Sequence, residues 1–141
     1  MNIDFKESKE SLTSRIKIHD LYGSANLDLW MFKKLKITSD EKILDLGCGD
    51  GKQCFGLKNY LKKNFSENFI EITGIDEHED LIKIARTKNK KTKNNIKFNL
   101  ASFDKKLLFP EKFFDLVISC FAIYYAENIE KTLLEIKRIL K

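Results

Sequence analysis

The sequence predicts an α/β fold with a parallel β-sheet, and its apolar segments and glycines carry that prediction. Residues 43–46 form an apolar run that indicates a short buried strand, and the glycines after it indicate a sharp turn into a helix. Residues 69–75 alternate and are β-branched, which indicates a second strand, and residues 95–100 indicate a third. Residues 114–120 are almost continuously apolar, as in the middle of a parallel sheet. Because helical patterns separate these segments, we expect parallel strands joined by right-handed crossovers.

Two parts of the chain differ in their position relative to the first strand. Residues 41–141 contain every predicted strand and are expected to form the ligand-binding domain. Residues 1–40 are expected to form a loose arm and then a helical cap, with one amphipathic helix from about Ser14 and a second one ending near Leu35. The 141 residues suffice for one core but are few for a complete doubly wound enzyme.

Three helices are predicted after the first strand. The first crossover helix covers about residues 52–61, and the second covers about residues 80–86. The last helix begins at Glu127 or Asn128. Its apolar face is predicted to hold Ile129, Leu133, Ile136 and Leu140.

Composition and charge restrict the class of protein. A content of 43% hydrophobic and 33% charged residues is ordinary for a soluble globular domain. No apolar run approaches a membrane span and the N-terminus lacks the order of a signal peptide, so we expect a cytoplasmic protein without membrane contact. The net charge of +5 comes almost wholly from lysine, and the densest basic stretch, 88–93, contains no aromatic residue. This favours a solvated loop over a nucleic-acid surface there.

The cysteines do not form a metal or disulfide pattern. Cys48, Cys54 and Cys120 are odd in number and contain no Cys-x-x-Cys pair. Reduced thiols are therefore expected, with no metal site. Cys48 is interpreted as a small residue within the glycine turn and not as a nucleophile.

The glycine turn predicts a ligand site. Gly47, Gly49 and Gly51 stand at alternate positions directly after the first strand, where the backbone can take positive φ or approach a ligand closely. The helix that follows directs its free N–H groups at whatever lies over the turn. Asp45 and Asp50 flank the turn, which favours a ligand that carries positive charge.

Two phosphate-binding motifs are excluded by the same residues. The dinucleotide fingerprint Gly-x-Gly-x-x-Gly requires a third glycine where this chain has Lys52 or, counted from the second glycine, Cys54. A P-loop ends in Gly-Lys-Ser/Thr, and here Gln53 lacks the hydroxyl that would hold magnesium.

The pattern Asp-x-Gly-x-Gly-x-Gly at residues 45–51 resembles the first motif of class I S-adenosylmethionine-dependent methyltransferases (type 11/25-like), and Phe114-Asp115 resembles the opening of their fourth strand. The resemblance covers about residues 42–141. It implies a Rossmann-like sheet of order 3-2-1-4 with S-adenosylmethionine across the ends of strands 1 and 4. Family members normally continue with three more strands, so we expect a fragment of a longer enzyme, or another cover for the fourth strand. An open fourth strand predicts self-association.

The ends of the predicted strands supply the candidate cofactor-binding residues. An acid that closes the second strand is where a βαβ nucleoside site places its ribose-binding carboxylate, and Asp76 is preferred over Glu77 because it is nearer the strand. By resemblance, a polar residue and an apolar cover hold the adenine after strand 3. The whole candidate set is Asp45, Gly47, Cys48, Gly49, Asp76, Glu77, Ser102 (or Asp104), Phe103, Ser119 and Cys120.

The methyl acceptor and the catalytic base are less well defined by the sequence. Phe121, Tyr124 and Tyr125 follow the fourth strand and either surround the transferable methyl group or pack in the core. The first role is favoured by chemistry, because an aromatic face stabilises a cation by about 0.5–2 kcal/mol. No catalytic residue is assigned; His19, Tyr124 and Tyr125 are the candidates for a base. In the N-terminal part, Arg15, His19, Tyr22 and Trp30 either face the substrate or pack the helices onto the sheet.

The predicted function is methyl transfer from S-adenosylmethionine to a small-molecule acceptor. No Asn/Asp-Pro-Pro-Tyr/Phe sequence follows strand 4, where residues 119–122 are Ser-Cys-Phe-Ala. This disfavours methylation of adenine or glutamine amino groups. Two alternatives stay open. One is an RNA methyltransferase that uses the lysine-rich surface, and the other is a non-catalytic Rossmann-like interaction module.

Overall fold

The computed structural model describes residues 26–38, 40–65 and 70–141, together with Ser14 and Ile18. Its elements are α1 (Leu27–Lys34), β1 (Lys42–Leu46), α2 (Lys52–Asn64), β2 (Glu71–Asp76), α3 (Glu79–Thr92), β3 (Lys97–Leu100), β4 (Leu116–Ile118), a 3-10 turn (Ile123–Tyr125) and α4 (Ile129–Ile139). Ser14 and Ile18, the described residues of the first predicted helix, are both helical. None of the helices in the described ranges is both long and apolar enough to span a bilayer.

The four strands form one parallel sheet in the order β3-β2-β1-β4, which confirms the predicted fold class and strand order. β1 is central, and Asp45 pairs with Gly74 of β2 on one side and with Ile118 of β4 on the other. Parallel strands bring their carboxyl ends to one edge of the sheet. The glycine turn, Asp76 and the residues after β4 therefore share an edge.

The core lies on both faces of the sheet. Ile43 packs on one face among residues of α2 and α3, whereas Leu44 and Leu46 pack on the other face with Phe114 and Ile139. Successive side chains of a strand point to opposite faces. Asp45 therefore points to the same face as Ile43, toward α2.

Helix α1 docks on α2 through one aromatic residue. Phe32 is 3% exposed, and its ring centroid lies 5.9 Å from that of Tyr60. A Cβ at Gly56 would approach the Phe32 ring to 3.2 Å, so the glycine makes room for it. Trp30, by contrast, is 59% exposed and does not hold this helix onto the sheet.

The buried face of α4 differs from the prediction. Thr132 and Ile139 are buried and Ile136 packs beside them, whereas Ile129 and Leu133 are exposed. The prediction was wrong for those two residues because a threonine can replace an apolar residue when its hydroxyl is satisfied. Thr132 Oγ1 donates to the carbonyl of Asn128, 3.2 Å away.

The secondary structure of the lysine-rich stretch 88–93 also differs from the prediction. It is exposed, as predicted, but it belongs to α3, which continues to Thr92 instead of ending near residue 86. Lysines at a helix C-terminus complement the helix dipole. The end of α3 is also held to the start of β3, because Asn89 Nδ2 donates to the carbonyl of Ile96 at 2.7 Å.

The segment just before β4 is paired with the last residues of α4 and the two that follow them. The strand is shorter than the predicted 114–120, and Phe114 instead forms an isolated parallel bridge with Leu140. The amide of Lys141 donates to the Phe114 carbonyl at 2.9 Å. Residues 140 and 141 thus lie beside the segment that precedes β4.

Candidate cofactor and acceptor site

The glycine turn is fixed by its neighbours. The amides of Gly47 and Cys48 both donate to the carbonyl of Ile75 at 2.9 Å, which ties the turn to the end of β2. Gly47 has a φ of 80°, and a Cβ there would lie only 2.3 Å from the Cβ of Ala122. Glycine is therefore required at position 47 by both conformation and space.

Asp76 faces the turn. It is 9% exposed, its Oδ2 accepts a hydrogen bond from the amide of Gly49 at 2.8 Å, and its Oδ1 accepts from the amide of His78 at 2.9 Å. The Nδ1 atom of His78 lies 2.9 Å from the same Oδ1. The carboxylate of Asp76 and the glycine turn are therefore in direct contact.

Asp45 is buried at the carboxyl end of β1. It is 1% exposed, and the thiol of Cys54 on α2 donates to its Oδ2 at 3.2 Å. The pKa of Asp45 is raised to about 7: burial is the main cause, the Cys54 hydrogen bond lowers it, and the negative charges of Asp76 and Asp28 raise it. A carboxyl with this pKa exchanges its proton near neutral pH.

Ser102 and Asp104, the two polar residues considered for the adenine, each make a hydrogen bond with a residue of another segment. Ser102 Oγ donates to Glu77 Oε2 at 2.9 Å, which joins the ends of β3 and β2. Asp104 Oδ1 accepts from the amide of Glu127 at 2.9 Å and so holds the backbone before α4. The ring of Phe103 lies 3.6 Å from the Cβ position of Gly47. Phe103 therefore borders the glycine turn, Ser102 and Glu77 contact each other where β3 and β2 end, and Asp104 has a structural contact of its own.

The two residues after β4 contact different elements. Ser119 Oγ donates to the carbonyl of Leu46 at 2.8 Å, so its hydroxyl joins β4 to β1. Cys120 Sγ lies 3.5 Å from Met31 Sδ, which brings α1 to the end of β4. Burial raises the pKa of Cys120 to about 11, and Asp45 and Asp28 add to the shift, so this thiol stays neutral.

The aromatic residues after β4 lie next to the turn. Phe121 has a φ of 57°, in the left-handed region, and its side chain is 57% exposed. Tyr124 is also 57% exposed, and its ring centroid lies 4.5 Å from that of Tyr125. The contact between Ala122 and Gly47 places this segment beside the turn. The candidates Arg15, His19 and Tyr22 lie outside the described residues.

Two residues near the candidate site were not identified from the sequence. Asp28 on α1 accepts from Gln53 Nε2 at 3.4 Å and lies 3.8 Å from Lys52 Nζ. It is the third carboxylate of the site, after Asp45 and Asp76, and its charge acts on Asp45. The second is His78, which is largely exposed but contacts Asp76 through its Nδ1 atom. No local pattern marks Asp28, whereas the spacing of His78, two residues after the strand-ending acid, was a usable signal.

The Rossmann-like sheet and the glycine turn with its facing acid define a class I S-adenosylmethionine-dependent methyltransferase fold. The chain belongs to the family described as the methyltransferase domain, whose model matches residues 37–141. That family and fold use S-adenosylmethionine as methyl donor.

Three relatives illustrate the similarity. The demethylmenaquinone methyltransferase of Tropheryma whipplei is 31% identical over 109 residues, which are 77% of this chain and 41% of that protein. The ubiquinone/menaquinone biosynthesis C-methyltransferase of Rickettsia bellii is 30% identical, covering 99% of this chain and 62% of that protein. A crystal structure of a protein from Pyrococcus horikoshii has a TM-score of 0.67 and 31% identity, covering 96% of this chain and 55% of its own. This chain thus spans about two fifths of the first relative.

Proposed function

We propose that this chain binds S-adenosylmethionine over the glycine turn and takes part in methyl transfer to a small-molecule acceptor. The observation that carries the proposal is the hydrogen bond of 2.8 Å between the Gly49 amide and Asp76 Oδ2. It sets a carboxylate, which can accept from both ribose hydroxyls, directly beside the turn. Family membership supports the identity of the cofactor.

Each candidate residue has a proposed role toward that cofactor. Asp76 and Glu77 accept from the ribose, and Ser102 and Phe103 border the adenine. The backbone of Gly47, Cys48 and Gly49 approaches the methionine part, and Asp45 supplies negative charge. Ser119 and Cys120 form the wall at the end of β4.

When bound, S-adenosylmethionine supplies a methyl group activated by a sulfonium. The task of the protein is then to align the acceptor and exclude water. Phe121 and Tyr124 present exposed rings beside the turn, where they can cover a planar acceptor and stabilise positive charge. Tyr124 and Tyr125 are the candidate bases within the described residues, and His19 is the candidate outside them.

The acceptor is proposed to be a small molecule, and the location to be the cytoplasm. Two relatives are named for the methylation of quinone precursors, which agrees with a small aromatic acceptor. For RNA as the acceptor, the lysines at the end of α3 would have to carry the affinity. RNA binding that falls steeply with salt would then replace this proposal.

Calorimetry with S-adenosylmethionine tests the proposal. We expect the full chain to bind it and Asp76→Ala to lose at least tenfold in affinity, since one charged hydrogen bond contributes about 1.5–3 kcal/mol. Asp80→Ala is the matched control, because Asp80 is an exposed acid at the start of α3. Equal binding by the wild type and Asp76→Ala would contradict the proposed site. A folded chain that binds nothing would favour the interaction module.

We also propose self-association through the outer edge of β4. The supporting observation is that Leu116–Ile118 pair with β1 on one side, while the bridge from Leu140 reaches only Phe114. Sedimentation over a concentration series should show reversible association that Val117→Lys weakens. If the protein is monomeric at every concentration, the proposed self-association through β4 is wrong.

A further inference from the structure

A buried carboxyl group is joined to a thiol beneath the glycine turn. Asp45 is 1% exposed and Cys54 is fully buried, and the Cys54 thiol donates to Asp45 Oδ2 at 3.2 Å. A thiol is a weak donor, and a buried carboxylate is stable only when strong donors or cations compensate its charge. The Cys54 contact by itself therefore leaves the ionised form of Asp45 poorly stabilised.

The groups that face Asp45 from the surrounding elements are mainly acidic or neutral. They are Asp28 on α1, Lys52 and Cys54 on α2, Cys48 in the turn, Asp76 on β2 with His78 beyond it, and Cys120 after β4. Lys52 Nζ lies 3.8 Å from Asp28 Oδ2. Asp28 and Asp76 both oppose a second negative charge at position 45.

The thiol keeps its proton in this environment. The hydrogen bond with Cys48 raises the pKa of Cys54, and burial and the charge of Asp45 raise it further. Cys54 is therefore a fixed donor, and Asp45 is the member of the pair that gains or loses a proton. The elevated pKa of Asp45, about 7, agrees with the charge distribution around it.

We infer that Asp45 holds a proton in the unliganded protein, that a positively charged ligand over the glycine turn releases this proton, and that Cys54 is the positioning residue that sets the pH of the release. This inference rests on the proposed binding of S-adenosylmethionine. In the step, the O–H bond of Asp45 breaks, the proton passes to solvent, and the carboxylate compensates the charge of the ligand without a covalent bond to it.

The sign of the pH dependence follows from this step. Below about pH 7 the free protein carries the proton and the complex does not, so each unit of rising pH increases the affinity by up to tenfold. Above about pH 7 the carboxylate is already ionised, and the affinity levels off. The Cys54 hydrogen bond favours the carboxylate form of Asp45. Loss of this hydrogen bond therefore raises the pH above which the affinity is constant.

Calorimetry in buffers of different ionisation enthalpy measures the released protons directly. With the full chain and S-adenosylmethionine, we expect about one proton released per ligand near pH 6 and about none near pH 8.5. The probe 5′-methylthioadenosine lacks both the sulfonium and the amino-acid part, and it should bind without proton release. Release of equal size with both ligands would overturn the inference, and so would the absence of release with S-adenosylmethionine.

Three variants separate the roles of the two residues. Asp45→Asn should abolish the proton release, Cys54→Ala should move its midpoint to higher pH, and Cys54→Ser should restore the midpoint because it keeps a donor. An unchanged release in Asp45→Asn would assign the proton to another group and overturn the inference. If Asp45→Asn does not fold, the comparison of the two ligands on the wild type decides. No binding of S-adenosylmethionine at any pH would overturn the proposed function itself, and this inference with it.

Discussion

Ala122 occupies the space in which a side chain at Gly47 would lie, since a Cβ at Gly47 would stand 2.3 Å from the Cβ of Ala122. This contact joins the turn after β1 to the segment after β4, 75 residues later in the chain. The two halves of the candidate site, cofactor side and acceptor side, meet at this point. Their relative position therefore depends on the absence of a side chain at residue 47.

Gly47→Ala is predicted to destabilise the fold strongly. The left-handed φ of 80° is unfavourable for alanine by about 1–2 kcal/mol, and overpacking against Ala122 adds about 1–3 kcal/mol. Urea unfolding measures the difference. Gly49→Ala is the matched control, because Gly49 has a φ of 54° but, among the described residues, the nearest atom to a Cβ there is Leu81 Cδ1 at 4.0 Å. Equal losses in the two variants would show that Ala122 is not a steric limit.

Asp45→Asn is predicted to remove a pH dependence of stability. The pKa of Asp45 is about 7 in the folded chain and 3.8 as the reference value, so the folded state binds more protons between these values. Stability from this group is therefore complete below about pH 4 and is lost as the pH rises to about 7, by at most about 4 kcal/mol.

The difference in unfolding free energy between Asp45→Asn and the wild type should grow in favour of the variant over that interval. Denaturant titrations at successive pH values measure it. Asp80→Asn, at an exposed position, should follow the wild type. A difference that does not vary with pH would mean that Asp45 is already ionised at low pH.

Arg138→Met is predicted to release the crossover between β3 and β4. The guanidinium of Arg138 donates to the carbonyls of Phe109 at 2.9 Å and Leu107 at 3.0 Å, and Glu135 Oε1 accepts from the Leu107 amide at 2.8 Å. Loss of these bonds should reduce the unfolding free energy by about 1.5–3 kcal/mol. Lys137→Met on the exposed side of α4 is the control, and a loss no larger than in that control would refute the assignment.

Phe32→Ala is predicted to undock α1. Phe32 is 3% exposed and contacts Gly56 and Tyr60, so its truncation leaves a cavity and should lower stability by about 3–5 kcal/mol. Trp30→Ala, at a position 59% exposed, should change it by no more than about 0.5 kcal/mol. Hydrogen exchange of α1 amides should increase in the first variant only. The opposite order would mean that Trp30 anchors the helix.

The sheet and the glycine turn could be predicted because their signals are local. Buried strands of a parallel sheet are short apolar runs, and the acid that ends β2 follows its strand directly. The position of Asp76 beside Gly49 then follows from the parallel arrangement, which brings strand ends to one edge. Sequence patterns were therefore sufficient for features that depend on the residues of a single strand or turn.

The remaining features depend on contacts between distant segments. The buried face of α4 is decided by Thr132, whose hydroxyl is satisfied within its own helix, so apolar periodicity alone selected Ile129 and Leu133 wrongly. The third carboxylate, Asp28, reaches the site because α1 docks onto α2, with Phe32 as its buried residue. Neither contact leaves a periodic signal in the sequence.

The carboxylate of Asp76 is oriented during folding. Its two oxygens accept hydrogen bonds from the amides of Gly49 and His78, so its side-chain torsion angles are already fixed in the protein without ligand. Immobilising a free side chain opposes association by about 0.5–1.5 kcal/mol, and a partner of Asp76 is spared that entropic loss. Complex formation there should consequently leave the order parameters of the 76–78 segment almost unchanged.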